Sequence, residues 1–431
     1  MTGGYLVKKL KSETGERVCM ILNAKTGLPL YYNNIYLTLL SRVKGKSFNT
    51  VLRNAYILIL LEEYLSKSGI NLKERMEKKK LLTYTELYSL TENLKIKRKE
   101  KKVIEIHEYR RFNEDNLHYR LTVINDYISW YYESYYGDSF IETKSIVELF
   151  KSNVKKHKPK IQSKQFVTDN FKSLEIEKVS ELFQCLETSN ENNPYDRHSR
   201  RRNQLILLVL HETGMRGGEL LNLRITDFNS EKKFLRITKR VNTPEDPRII
   251  QPLVKTLERD LNISKKLTNS INEYIEKDRV FYTKNRKHDY LFVTHKCGPT
   301  EGLPLTISAY NKIIRKIREI QILGPEFRNF TGHTMRHTWN HIYNLKYIGV
   351  TDVNKISQLN VIRCLRMGWA IKSNSELIYN NRYIHEQALK AFEEIDLTSK
   401  LITKNSEGGI YENIDSRKLL GIKNKRQRKR I

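Results

Sequence analysis

No stretch of the 431-residue chain holds a run of about 18 apolar residues, the length a membrane-spanning helix needs, so no bilayer-crossing segment is expected. The N-terminal MTGGYLVKKLKSETGE lacks the apolar core of a secretory signal. Cysteine is scarce. Cys19, Cys185, Cys297 and Cys364 lie far apart and form no CxxC, so they read as reduced thiols without a disulfide framework. His295 and Cys297 are near neighbours, but two groups fall short of the three or four ligands a zinc ion takes, so no metal is expected there. Internal repeats and long low-complexity segments are missing too. These absences argue against secreted disulfide scaffolds, solenoids and integral membrane proteins, and leave a cytoplasmic globular protein as the expectation.

Acidic residues are also in short supply. There are 49 Asp and Glu against 78 Lys and Arg, a net charge of +29. Such a surplus repels itself unless a polyanion lies nearby, which points to nucleic acid first and an anionic membrane second. The chain is long enough for two or three domains, and 39% hydrophobic residues is adequate for globular cores.

Apolar and polar residues alternate around turn signals in YLVKKLKSETGERVCMILNAKTGLPLYY, which predicts a small β-rich element over 1–45, a candidate arm-type DNA-binding element. From Asn49 the period becomes helical, and residues 46–155 are expected to form a helical, SAM-like DNA-binding bundle. The basic runs KERMEKKK and KIKRKEKKV suit either a solvated face or a DNA-facing one. The Tyr-rich stretch from Tyr127 to Tyr136 reads as core packing or as a stacking platform for bases. Residues 156–172, basic and containing Pro159, are the candidate linker. A second domain is expected over 173–395, followed by a basic tail over 396–431. The fold class is mainly α with a small antiparallel β-hairpin or sheet (α+β).

Two short segments carry chemistry. In TGMRGGELLNL, glycines allow a sharp turn and place Arg216 at a helix start, where free N–H groups favour an anion; the alternative is an ion pair with Glu219. In HTMRHTWNHIY, His333, Arg336 and His337 stand at i, i+3 and i+4, one face of a helix. Zinc fits poorly, because no Glu completes an HExxH and Arg336 would set a fixed cation beside the metal. A core role suits His337. Arg336, flanked by Met335 and Trp339, is expected to need an anion, and a phosphate accepts its two parallel N–H donors. Two Arg and a His around one phosphate can neutralise the charge of a pentacoordinate transition state without a metal. The candidate nucleophiles are Tyr379 and Tyr383 in MGWAIKSNSELIYNNRYI.

These motifs resemble the catalytic domain of the tyrosine recombinases, the phage integrase family. Its T-G-x-R-x-x-E-L segment is matched by Thr213-Gly214-Met215-Arg216-Gly217-Gly218-Glu219-Leu220, and its H-x-x-R-H box by His333, Arg336 and His337. ITKRVNTPEDPRIIQPL resembles the hairpin that carries a lysine in that family, with Lys239 in the Lys position, Arg240 as the one-residue register alternative and RIIQPL as the returning strand. Gly368-Trp369 stands for the pair that precedes the tyrosine. The resemblance spans about residues 173–395.

It implies double-stranded DNA as substrate, no cofactor and no metal. Tyr379 would form a 3′-phosphotyrosyl bond, with Tyr383 the alternative nucleophile. His333 would take the phenol proton, Arg216 and Arg336 would hold the non-bridging oxygens, and Lys239 would protonate the departing 5′-oxygen. His337, Trp369 and Glu219 would support them. It further implies a homo-tetramer on two DNA sites, with a possible accessory DNA-bending or directionality protein. Type IB topoisomerase-like relaxation and a non-catalytic DNA-binding relative are the competing readings.

Overall fold

This computed structural model describes residues 4–96, 114–160 and 172–370, with isolated positions 387, 393 and 395. Tyr379, Tyr383, most of the basic run after Lys95, residues 161–171 of the candidate linker and the 396–431 tail lie outside the described residues. The chain is mostly helical, with two small antiparallel sheets. Among the described residues, no helix is long and apolar enough to cross a membrane.

The N-terminal alternation becomes a hairpin. β1 (Tyr5–Lys11) pairs with β2 (Arg17–Asn23), from Tyr5 opposite Asn23 to Lys11 opposite Arg17. Six helices follow: α1 (Tyr31–Thr38), α2 (Phe48–Lys67), α3 (Leu72–Glu77), α4 (Tyr84–Lys95), α5 (Glu114–Tyr136) and α6 (Phe140–His157). In α2, Val51, Ala55, Leu58, Leu61 and Leu65 recur every three or four positions and are buried. A capping box of Thr83 and Glu86 fixes the start of α4. Tyr127, Tyr131 and Tyr132 lie in the same core as these leucines, so that part of the Tyr-rich stretch packs inward. Cys19 and Ile21 of β2 belong to this core as well, so the hairpin and the helices bury one apolar interior.

A second core is built from α7 (Ile176–Cys185), α8 (Arg197–Thr213), α9 (Gly217–Leu220), α10 (Lys265–Glu273), α12 (Ile307–Ile317) and α13 (Gly332–Asn344); α11 (Val280–Thr283) buries no side chain, and Cys364 and Met367 of α14 (Val353–Met367) form a smaller cluster of their own. A three-stranded antiparallel sheet accompanies them: β3 (Phe228–Asn229), β4 (Phe234–Ile237) and β5 (Arg259–Asn262), in that order. The strand that returns on β4 is β5, with Phe234 opposite Asn262 and Ile237 opposite Arg259. This corrects the expectation for RIIQPL. Side chains hold that stretch outside the sheet. Arg248 is buried, pairs with Asp246 and donates to the Leu221 and Leu305 carbonyls, each at 2.9 Å, while Asn222 donates to the Pro252 carbonyl at 2.6 Å.

The N-terminal hairpin grips the loop between β4 and β5. Arg17, 3% exposed, donates to the carbonyls of Arg248 and Asp246, both at 3.1 Å. Lys11 Nζ donates to those of Pro244 at 2.6 Å and Asp246 at 2.8 Å. At the hairpin turn, a Cβ on Gly15 would stand 2.2 Å from the Asn242 carbonyl oxygen, so only glycine permits this approach.

Candidate active site

The two motif segments meet at a helix junction. α8 ends in a left-handed cap at Gly214, with φ of 64°, a conformation that favours glycine. The chain turns back through Met215, and Arg216 precedes α9. The HTMRH segment opens α13, where the Thr331 N–H donates to Thr334 Oγ1 at 2.9 Å. α13 packs on α8, so Arg216 and His333 line one cleft of about 590 Å³. Lys255, Arg315, Arg318 and Tyr310 line it too.

Residues 172–360 match the family model described as the phage integrase family. Among curated proteins, Transposase A from transposon Tn554 of Staphylococcus aureus is 31% identical over 139 residues, 32% of this chain and 35% of the transposase. Tyrosine recombinase XerD of Halalkalibacterium halodurans is 27% identical over 169 residues, 39% of this chain and 46% of XerD. The similarity to the phage integrase family is confined to residues 172–360, less than half of the chain. The matches to these two curated relatives span less than half of each relative's length. Among solved structures, the Tn1549 transposon integrase (residues 82–397) in complex with circular intermediate DNA aligns at 14% identity, over 84% of this chain and 99% of that one, with a TM-score of 0.47.

Within the segment that matches the family model, the two arginines have different surroundings. The Arg216 side chain is one-quarter exposed. Its Nη1 lies 3.8 Å from Glu219 Oε1, beyond hydrogen-bond range, and makes no hydrogen bond among the described residues. Glu219 is instead taken by Arg259, whose Nη2 donates to it at 2.8 Å, with Thr256 Oγ1 and the Arg216 N–H as further donors. Burial pushes the Glu219 carboxyl up. Arg259 and those hydrogen bonds outweigh it and hold the carboxyl below its ordinary value. The Arg216–Glu219 pair weighed from the sequence is present as a long ion pair of 3.8 Å, while the close, hydrogen-bonded partner of Glu219 is Arg259, and Arg216 also lines the cleft.

Arg336 is fully buried. It donates to the Gly214 carbonyl at 2.8 Å and to the Met367 carbonyl at 2.9 Å, and so ties the ends of α8 and α14 to α13. Its guanidinium carbon lies 5.4 Å from the centre of the Trp369 ring. Trp369 is buried with Cys364 and Met367 against Trp339. His333 is exposed and has its pKa lowered, by desolvation first and then by the charges of Arg216 and Arg336. It is therefore neutral at pH 7 and can accept a proton. His337, half-buried, is pushed down to about 3 by burial, with the charge of Lys172 next.

Lys239 is exposed, with its backbone N–H held by Glu258 Oε1 at 2.6 Å, and is not among the residues lining the cleft. Arg240 is held by both oxygens of Asp227, at 2.8 and 2.6 Å. Sequence reasoning passed over Lys255, Arg259 and Tyr310. The alternation of ERDLNI was the available signal for β5, and with it for Arg259 beside the cleft. Among the described residues, no group of three His, Cys, Asp or Glu side chains is arranged to hold a metal.

The neutral histidines give stability a pH dependence. His337 and the fully buried His295 both lie near 3, against an ordinary 6.5, in each case chiefly through burial. Folded values below the unfolded value mean that the folded state binds fewer protons in between. Stability is then complete above about pH 6.5 and falls as pH drops toward 3, by about 1.4 kcal/mol per pH unit for each histidine. Urea unfolding at pH 7.5, 6.5 and 5.5 should show the midpoint falling over the last step. A flat profile would contradict the neutral assignment.

Proposed function

We propose that the chain is a site-specific DNA recombinase that cleaves and rejoins strands through a 3′-phosphotyrosyl intermediate, without metal or ATP, in the service of a mobile element. The observation that carries this reading is the cleft: an Arg216 Nη1 with no hydrogen bond among the described residues and a neutral His333, brought side by side from two distant motifs. The net charge of +29 supports double-stranded DNA as the partner. The activity named for the curated relatives, recombination and transposition, is consistent with it.

In this reading the phenol oxygen of Tyr379 attacks a backbone phosphorus, its proton passes to His333, and the bond from phosphorus to the 5′-oxygen breaks. The phosphotyrosyl bond retains the energy of the diester, so a 5′-hydroxyl from a second duplex can reverse the step and exchange strands. Arg216 holds a non-bridging oxygen. Arg336, held by the Gly214 and Met367 carbonyls, adds positive charge beside the phosphate. A tetramer on two DNA sites, with or without an accessory bending protein, is the working assembly. Covalent trapping tests the reading: nicked duplexes are incubated with the protein in EDTA, and the adduct is digested and sequenced by mass spectrometry. A phosphotyrosyl peptide at Tyr379 is expected. DNA binding with no adduct on any duplex would overturn the reading, and relaxation of supercoils without product exchange would favour a topoisomerase.

The departing 5′-oxygen needs a proton, and two lysines flank the loop between β4 and β5. The motif order assigns Lys239; the cleft contains Lys255. A sulfur in place of the bridging 5′-oxygen leaves without an acid, so it separates the two. Lys255→Ala is expected to slow adduct formation on ordinary DNA by about 10²-fold and to recover on the sulfur-bridged substrate. Recovery by Lys239→Ala instead would return the role to Lys239.

A further inference from the structure

One polar atom in the cleft has no assigned task. Tyr310, on α12, is 6% exposed, and its hydroxyl has no hydrogen-bond partner among the described residues. The ring is wedged between the two motif segments. A Cβ on Gly217, the residue after Arg216, would stand 2.8 Å from the hydroxyl oxygen; a Cβ on Gly332, the residue before His333, would stand 2.2 Å from it. Both glycines are thus needed to admit this phenol. A phenylalanine would fill the same space without an orphaned hydroxyl, which costs about 1–3 kcal/mol when sealed from water unpaired. Burial also pushes the Tyr310 phenol well above its ordinary value, so it keeps its proton at neutral pH and acts as a donor, not a rival nucleophile.

Two donors from separate elements, Arg216 Nη1 and Tyr310 Oη, therefore line one cleft without a hydrogen-bond acceptor among the described residues. We propose that Tyr310 is a further catalytic residue, whose hydroxyl donates a hydrogen bond to a non-bridging oxygen of the scissile phosphate held between Arg216 and His333. The inference rests on the strand-transfer reading above. The bond matters most as charge grows on that oxygen in the pentacoordinate state, where a fixed donor in a sheltered site acts most strongly.

The test uses the full chain and Tyr310→Phe, which keeps the ring and removes only the oxygen. Adduct formation on nicked DNA is expected to slow by about 10²-fold, the usual effect of losing one such donor. DNA affinity should stay unchanged, and the unfolding midpoint should rise or hold, since the orphaned hydroxyl is removed. A merely structural hydroxyl would not distinguish the two oxygens of the phosphate, so the decisive substrates carry a methylphosphonate in each stereochemical form at the scissile position. On the form lacking the oxygen that Tyr310 contacts, the unchanged protein and Tyr310→Phe should react at the same rate; on the other form the gap should persist. Equal rates on ordinary DNA, or the same gap on both forms, would overturn the role of Tyr310 and leave the strand-transfer reading intact. Absence of any adduct with the unchanged protein would overturn both.

Discussion

Tyr379→Phe is expected to remove strand cleavage while DNA affinity stays close to that of the unchanged chain. The ring is kept and only the attacking oxygen is lost. No neighbouring water can replace it without giving up the covalent intermediate. Removing a nucleophile of this kind costs on the order of 10³-fold or more in rate. His333, held neutral beside Arg216 and Arg336, would then have no phenol proton to accept. The adduct assay on nicked duplex gives the rate, and a filter-binding titration at fixed salt gives the affinity. A normal yield of adduct from Tyr379→Phe, with the label on Tyr383, would move the nucleophile and keep the chemistry. A parallel loss of binding would mean that Tyr379 acts in recognition.

The second large effect concerns folding as much as chemistry. Arg336→Ala should destabilise the domain by about 3–5 kcal/mol, because it strips a buried guanidinium from the Gly214 and Met367 carbonyls and leaves both acceptors sealed without partners. It also empties the space beneath Trp369. Arg216→Ala offers the contrast. Its side chain is partly exposed and its Nη1 makes no hydrogen bond among the described residues, so stability should stay within about 1 kcal/mol of the unchanged protein. Adduct formation should nonetheless fall by about 10²-fold or more. Urea unfolding at pH 7.5 separates the two variants. Equal midpoints for Arg336→Ala and Arg216→Ala would contradict the anchoring role of Arg336.

Much of this site was legible because its signals are local. The i, i+3, i+4 spacing of His333, Arg336 and His337 survives as one helix, and the glycines around Arg216 survive as a turn and a short helix. The alternation over residues 5–23 gives the hairpin, with the SETGE turn between its strands. Partnership across space was not legible. RIIQPL and ERDLNI both carry strand-forming residues, and the capture of Arg248 by Asp246 and two carbonyls, with the Asn222 bond to the Pro252 carbonyl, holds the first out of the sheet. That choice decides which lysine reaches the cleft. The same holds for Glu219: Arg216 is three residues away, and Arg259 is forty, yet the distant arginine makes the closer pair, at 2.8 Å against 3.8 Å. Nor could spacing alone show that Arg336 would donate to the backbone carbonyls of Gly214 and Met367.

The grip of Lys11 and Arg17 on the loop between β4 and β5 bears on how such proteins can be recombined in the laboratory. Joining the first 155 residues of this chain to the catalytic half of a relative looks natural, since the cut falls in a basic connector. The graft would nonetheless carry a buried guanidinium and an ammonium made for the carbonyls at 244, 246 and 248, and a glycine turn shaped to the carbonyl at 242. The two halves are thus not interchangeable cassettes. A hybrid that is to fold must transplant residues 5–23 and 242–248 as a matched lock and key, even though more than two hundred positions separate them.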